Sequence, residues 1–124
     1  MHRSASINYT GRSMNNMQIT INIRYTGANN SVKYFLQEMK DSGTIDAIRA
    51  EEGNLRYEYY WSLEDPDTVL LIDSWESQEA LDAHHVSPMM EIIAELREKY
   101  DIHMTVERYY RAEDLLSDDR FIRK

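Results

Sequence analysis

The chain has 124 residues, 22 of them acidic and 14 basic, for a net charge of −8. That length suits one domain with a single core, and the charge repels phosphate backbones and anionic lipid, so neither nucleic acid nor a membrane is an expected partner. Without cysteine there are no disulfides and no thiolate chemistry, which fits a reducing cytoplasm. No apolar run approaches the roughly 18 residues of a membrane helix.

Residues 1–16 contain no acid and lack the apolar stretch of a signal peptide. They are expected to be a polar, flexible leader, with Met14 and Met17 as alternative starts to Met1. Gln18 to Tyr25 alternates apolar and polar residues and predicts a strand. Gly27 to Ser31 is a turn that can cap the next helix. Val32, Phe35, Leu36 and Met39 follow helical spacing, which slips at Gly43 and resumes with Ile45 and Ile48, so a kinked or divided helix is expected. Leu55 to Ser62 predicts an aromatic-rich strand, Glu64 to Asp67 a turn and Thr68 to Trp75 another strand. Ser77 should cap a short helix. Ser87-Pro88 should start a second, with Met89, Ile92, Ile93, Leu96 and Tyr100 as its apolar stripe. Ile102 to Tyr110 predicts the last strand. Residues 111–124 form a charged tail anchored by Leu115, Leu116, Phe121 and Ile122.

The order reads as an α+β fold, the ferredoxin-like split β-α-β-β-α-β, over residues 17–110. Right-handed crossovers place both helical segments on one face of an antiparallel sheet, with the first and third strands central. Val69 to Ile72 is apolar on both faces, so the uncovered face should carry either Leu70 and Ile72 or Val69 and Leu71, with apolar neighbours. A second copy packed sheet to sheet would cover it, forming a dimeric α/β barrel.

His84 shares the inward face of its helix with Ala80 and Leu81. It reads either as a core histidine or as a general base, and the chain break at Ser87-Pro88 favours a cleft beside it. His85 should sit nearer the edge. Trp75 reads as a core side chain or a surface on which a ligand ring stacks. Tyr57 and Tyr59 share a face whose hydroxyls need partners, which suits a wet or ligand-filled cavity. Asn22 and Thr20 are weaker candidates on the first strand, and a polar strand face in a barrel interior explains them equally well. The Met89-Met90 pair reads first as core, with Met89 kept as a substrate contact. The histidine pair lacks metal-ligand spacing, so no metal is expected. Nucleotide-loop and serine-nucleophile motifs are absent too.

The runs EGNLRYEYY, VLLIDSW and SQEALDAHHVSPMM, in that order and spacing, resemble the antibiotic biosynthesis monooxygenase family, which includes quinol monooxygenases. The resemblance spans about residues 17–110. It implies a dimeric ferredoxin-like barrel that oxygenates phenols or quinols with molecular oxygen and no cofactor. Carried over by position, the family's strand Tyr falls on Tyr57, its strand-end Trp on Trp75 and its helix His on His84. Asp73 stands where Glu is commoner. The haem-degrading branch's Trp and His would fall on His84 and Ala94, so haem breakdown is not expected. Two further readings stay open. One is an isomerase or degradation enzyme for a small phosphorylated keto-sugar, needing Arg24, Arg56 or Arg108 near His84. The other is a non-catalytic ligand-binding stress protein. On the leading reading His84 removes a phenolic proton, Tyr57 bonds the oxyanion, and Trp75 stacks on the ring of a small aromatic substrate, with Tyr59, His85, Asn22 and Met89 around it.

Overall fold

The computed structural model describes residues 17–112 and 118–124. Alternation builds its first strand, β1 (Ile19–Thr26), in which Ile19, Ile21 and Tyr25 are buried while Arg24 and Thr26 are exposed. The helical stretch that follows is divided into α1 (Ser31–Asp41) and α2 (Thr44–Arg49). The break falls at Gly43, whose φ of 77° is a left-handed conformation that other residues rarely adopt. The turn before α1 differs from expectation. Asn29 and Asn30 are themselves left-handed, and no side chain caps the helix.

Strands β2 (Asn54–Trp61) and β3 (Thr68–Trp75) are antiparallel neighbours. The turn between them is tied by Asp65, which accepts from the Asp67 N–H at 2.9 Å and the Thr68 hydroxyl at 2.7 Å. Next come α3 (Gln78–His85) and α4 (Pro88–Lys99), then β4 (His103–Tyr110). The sheet order is β2-β3-β1-β4, fully antiparallel, with β1 and β3 central. This is the ferredoxin-like β-α-β-β-α-β arrangement, its helical segments each divided in two.

All four α-helices contribute to one core. Val32, Phe35, Met39, Ile48, Leu81, Ile93 and Leu96 pack with Ile19, Ile21, Tyr25, Tyr57, Val69, Leu71 and Trp75 from the sheet. Ile92, expected in the apolar stripe of α4, is instead exposed, because that stripe follows Ile93 and Leu96. In the tail, Leu115 and Leu116 fall outside the described residues, as do residues 1–16. Phe121 and Ile122, expected as anchors, are exposed.

The other sheet face carries Leu70 and Ile72, as one of the two expected phases requires. Their cross-strand neighbours are not the expected apolar residues. Leu70 lies opposite Arg24 and Tyr60, and Ile72 opposite Asn22 and Glu58. Every residue of β4 is exposed, including Met104, Val106, Tyr109 and Tyr110.

Candidate functional site

The serine before α3 fixes where that helix begins. Ser77 Oγ accepts from the Ala80 N–H at 3.1 Å, so the helical phase is set from its first turn. That phase turns Leu81 and His84 inward together, and His84 is only 4% exposed. Its ring stacks on the Trp75 indole, with centroids 4.7 Å apart and planes 28° from parallel. Its Nδ1 lies 2.6 Å from Glu51 Oε2. Glu51 arrives from the turn between α2 and β2, which presses closely on α3. At Gly53, φ is 83°, and a Cβ there would stand 2.5 Å from that of Ala80. Gly53 also accepts the Glu76 N–H at 2.9 Å. Glycine is thus needed for both conformation and approach, and the approach brings Glu51 to the imidazole. A carboxylate at Nδ1 accepts that nitrogen's proton and leaves the Nε2 lone pair for chemistry.

Beneath the pair, the Trp75 Nε1–H donates to Asp73 Oδ1 at 2.7 Å. Asp73 points inward with Leu71 and Val69, because side chains two apart on a strand share a face. Burial pushes its pKa up to about 7; the bond from Trp75 opposes this and the charge of Glu51 adds to it. Between about pH 4 and that value, folded Asp73 keeps a proton that the unfolded chain has released, so its contribution to stability falls as pH rises across the window. Asp73→Asn, uncharged at every pH, is therefore expected to gain on the parent as pH rises from 5 to 8.5, by at most about 3 kcal/mol. Urea midpoints at the two pH values measure this. A difference between the chains that does not change with pH would contradict it.

Above this layer a cavity of about 310 Å³ separates β1, β3 and β4 from α3 and α4. Its apolar wall includes Ile21, Ile23, Leu71, Met90, Ile93 and Val106, and its polar groups include Tyr57, Asp73, His84, His85, Arg97 and Arg108. Tyr57 accepts a bond from the Tyr59 hydroxyl at 3.2 Å. Burial, with the neighbouring tyrosines, raises the Tyr57 pKa well above the usual phenol value. It therefore keeps its proton and can donate it in a hydrogen bond to a ligand oxygen. Partial burial, followed by His84, holds His85 below the ordinary imidazole range; Arg108 acts the same way and Asp82 opposes.

The sequence profile of the antibiotic biosynthesis monooxygenase family matches residues 18–96, a span that includes His84, Trp75 and Tyr57. The chain belongs to the antibiotic biosynthesis monooxygenase family. Similar folds occur in a Bacteroides thetaiotaomicron VPI-5482 protein of unknown function described as a possible oxidoreductase, with TM-score 0.69 and 18% identity over 77% of this chain and 99% of that one. A proposed antibiotic biosynthesis monooxygenase from Deinococcus radiodurans gives TM-score 0.68 and 16% identity, covering 77% and 94%. Another from Caulobacter crescentus CB15 gives 0.69 and 15%, covering 81% and 94%. At such identities the likeness concerns the fold. No curated protein matches the chain.

In this family member, His84, His85 and Tyr57 meet at one cavity. Four other expected positions differ. Trp75 is not on the cavity wall; it is fully buried and stacks on His84. Tyr59 lies behind Tyr57, in edge contact with its ring. Asn22 lies on the opposite face of the sheet, between Ile72 and Glu107, as does Thr20, which bonds Ser74 at 2.9 Å. Met90, not Met89, faces the cavity, while Met89 packs against the core. Glu51 and Arg97 were not foreseen. Arg97 was legible in principle, because Met90, Ile93 and Arg97 stand at i, i+3 and i+7 and so share a helix face. Ala94, at the haem-degrader position, is exposed. Among the described residues no cluster of three or more His, Cys, Asp or Glu could hold a metal ion, and no helix is long and apolar enough to cross a membrane.

Proposed function

We propose that this protein oxygenates a small quinol or phenol with molecular oxygen. The observation that carries the reading is His84, held between Glu51 and Trp75 on the wall of a largely apolar cavity. In this scheme His84 Nε2 removes a phenolic proton, and the resulting anion is electron-rich enough to pass an electron to oxygen. Tyr57 donates a hydrogen bond to the substrate oxygen as negative charge develops there. The balance closes without an added reductant. Quinol oxidation gives two electrons and conversion of a ring C–H to C–OH gives two more; one oxygen atom enters the product and the other leaves as water. Oxygen-electrode traces with a panel of quinols, coupled to product mass, test the reading. Oxygen uptake with one atom added per product is expected, and no uptake with any quinol would discard it.

The keto-sugar phosphate reading receives less support. Arg24 and Arg56 project from the opposite sheet face, leaving Arg108 as the one of its three arginines on the cavity wall. The apolar wall also offers few partners for sugar hydroxyls. A purely packed histidine is disfavoured by the cavity itself.

We further infer that the working unit is a homodimer assembled through the sheet. An eight-residue edge strand exposed along its whole length is a surface that lone chains usually protect. Sedimentation equilibrium should return twice the 14.7 kDa chain mass; a stable monomer would refute it.

A further inference from the structure

Asp73 is a buried titratable group that the proposed proton transfer leaves unused. Its cross-strand partners are Tyr57 on β2 and Ile21 on β1, and all three line the cavity that His84 enters. Directly opposite residues on neighbouring strands have Cβ atoms about 4.5–5.5 Å apart, which sets Tyr57 and this acid side by side. The carboxyl is 5% exposed, and its two oxygens have different surroundings. Oδ1 accepts the Trp75 Nε1–H at 2.7 Å, which orients the group. Oδ2 has no hydrogen-bond partner among the described residues. The fully enclosed side-chain oxygens that lack a partner there are those of Asn22, Ser31 and Ser87, so Oδ2 of Asp73 is not sealed in and opens on the cavity. Glu51 is the charged group acting on the carboxyl. Tyr57, Tyr59 and Tyr25 feel its charge and are themselves held neutral by burial. With no cation paired to it among the described residues, the neutral acid is the form that burial favours. A neutral carboxyl whose first oxygen already accepts presents its proton from the second. Such an acid is a strong donor to an oxygen that is gaining negative charge.

We propose that Asp73 is a catalytic residue of this cavity, donating a hydrogen bond from Oδ2 to a ligand oxygen that becomes negative once His84 has taken its proton. The phenolic O–H breaks, its proton moves to Nε2, and the electron pair stays on the oxygen that Asp73 meets. This rests on the proposed cavity function and adds a second donor to Tyr57. 4-Nitrophenol, which turns yellow on ionisation and does not react with oxygen, reports the step in the full chain at pH 6, where the acid form of Asp73 prevails. The parent should bind it and raise its phenolate band. Asp73→Leu removes the donor; Asp73→Asn keeps one in its amide N–H while its oxygen still accepts from Trp75. Phenolate affinity should fall on the order of 10–100-fold in the leucine variant, the scale of a hydrogen bond to a charged group, and stay within about fivefold of the parent in the asparagine variant. Circular dichroism checks the folding of both. Infrared difference spectra of the parent need no substitution and decide the matter if the leucine variant does not fold. The stretching band of a protonated carboxyl should shift as nitrophenol is added, and Asp73→Asn should lack that band. An unmoved band, leucine binding equal to the parent, an asparagine variant as weak as the leucine one, or no nitrophenol binding at millimolar concentration would overturn the proposal. Neither readout needs turnover, so failure of the oxygenase reading would leave them intact, whereas quinol oxygenation at parental rates in folded Asp73→Leu would sink the donor alone.

Discussion

Replacing Trp75 by alanine is expected to cost about 3–5 kcal/mol of stability, the range for emptying a large buried aromatic site. Three observations place it there. The side chain is 0% exposed, its ring supports His84 from 4.7 Å, and its N–H satisfies a carboxyl oxygen of buried Asp73. Truncation would open a void, leave that oxygen without its donor and free the imidazole to tilt. Trp75→Phe keeps most of the packing and loses the bond, so a smaller loss of about 1–3 kcal/mol should follow. Urea unfolding measures both. A loss below about 1 kcal/mol for the alanine variant would mean that the indole is a surface for ligand rather than part of the core.

His84→Ala should lower kcat/KM for quinol oxygenation by about 10²–10⁴-fold, the usual contribution of a placed general base. The protein should stay folded, since Trp75 and Leu81 keep most of their other neighbours, and thermal melts will verify that. Glu51→Gln retains an oxygen able to accept the Nδ1 proton but removes the charge that stabilises imidazolium. A loss of roughly 10–100-fold is expected there, the scale seen when a partner that orients a histidine is altered. Initial rates of oxygen consumption with saturating and limiting quinol separate the effects on kcat and KM. Unchanged rates in folded His84→Ala would remove the base from the scheme.

The fold was legible because each element announces itself locally. Ile19, Ile21 and Tyr25 alternate, Ser77 and Ser87-Pro88 mark helix starts, and Gly43 interrupts a helical phase. Both central strands follow from the topology rules. His84 was legible from its spacing to Ala80 and Leu81. Asn22 was legible as part of a polar strand face, for the alternation that turns Ile21 and Ile23 towards the helices turns Asn22 away. Glu51 was out of reach. Its contact with His84 spans 33 positions and depends on how tightly the Gly53 turn settles on Ala80, a tertiary fact with no periodic signature. The orientation of Trp75 was equally hidden, because a residue ending a strand can face ligand or core, and only the packing of α3 above it decides. The polar neighbours of Leu70 and Ile72 depend on strand register, which hydrophobic pattern fixes only to within the alternation.

The central idea is that a ligand ring in the cavity meets the imidazole held by Glu51. Nitrogen-15 spectra of the histidine rings, recorded while hydroquinone is added without oxygen, address this directly. The Nε2 resonance of His84 should move in step with ligand occupancy while its Nδ1 proton stays bonded to Glu51. Saturable binding with His84 unmoved, or shifts confined to the exposed ring of His103, would contradict it.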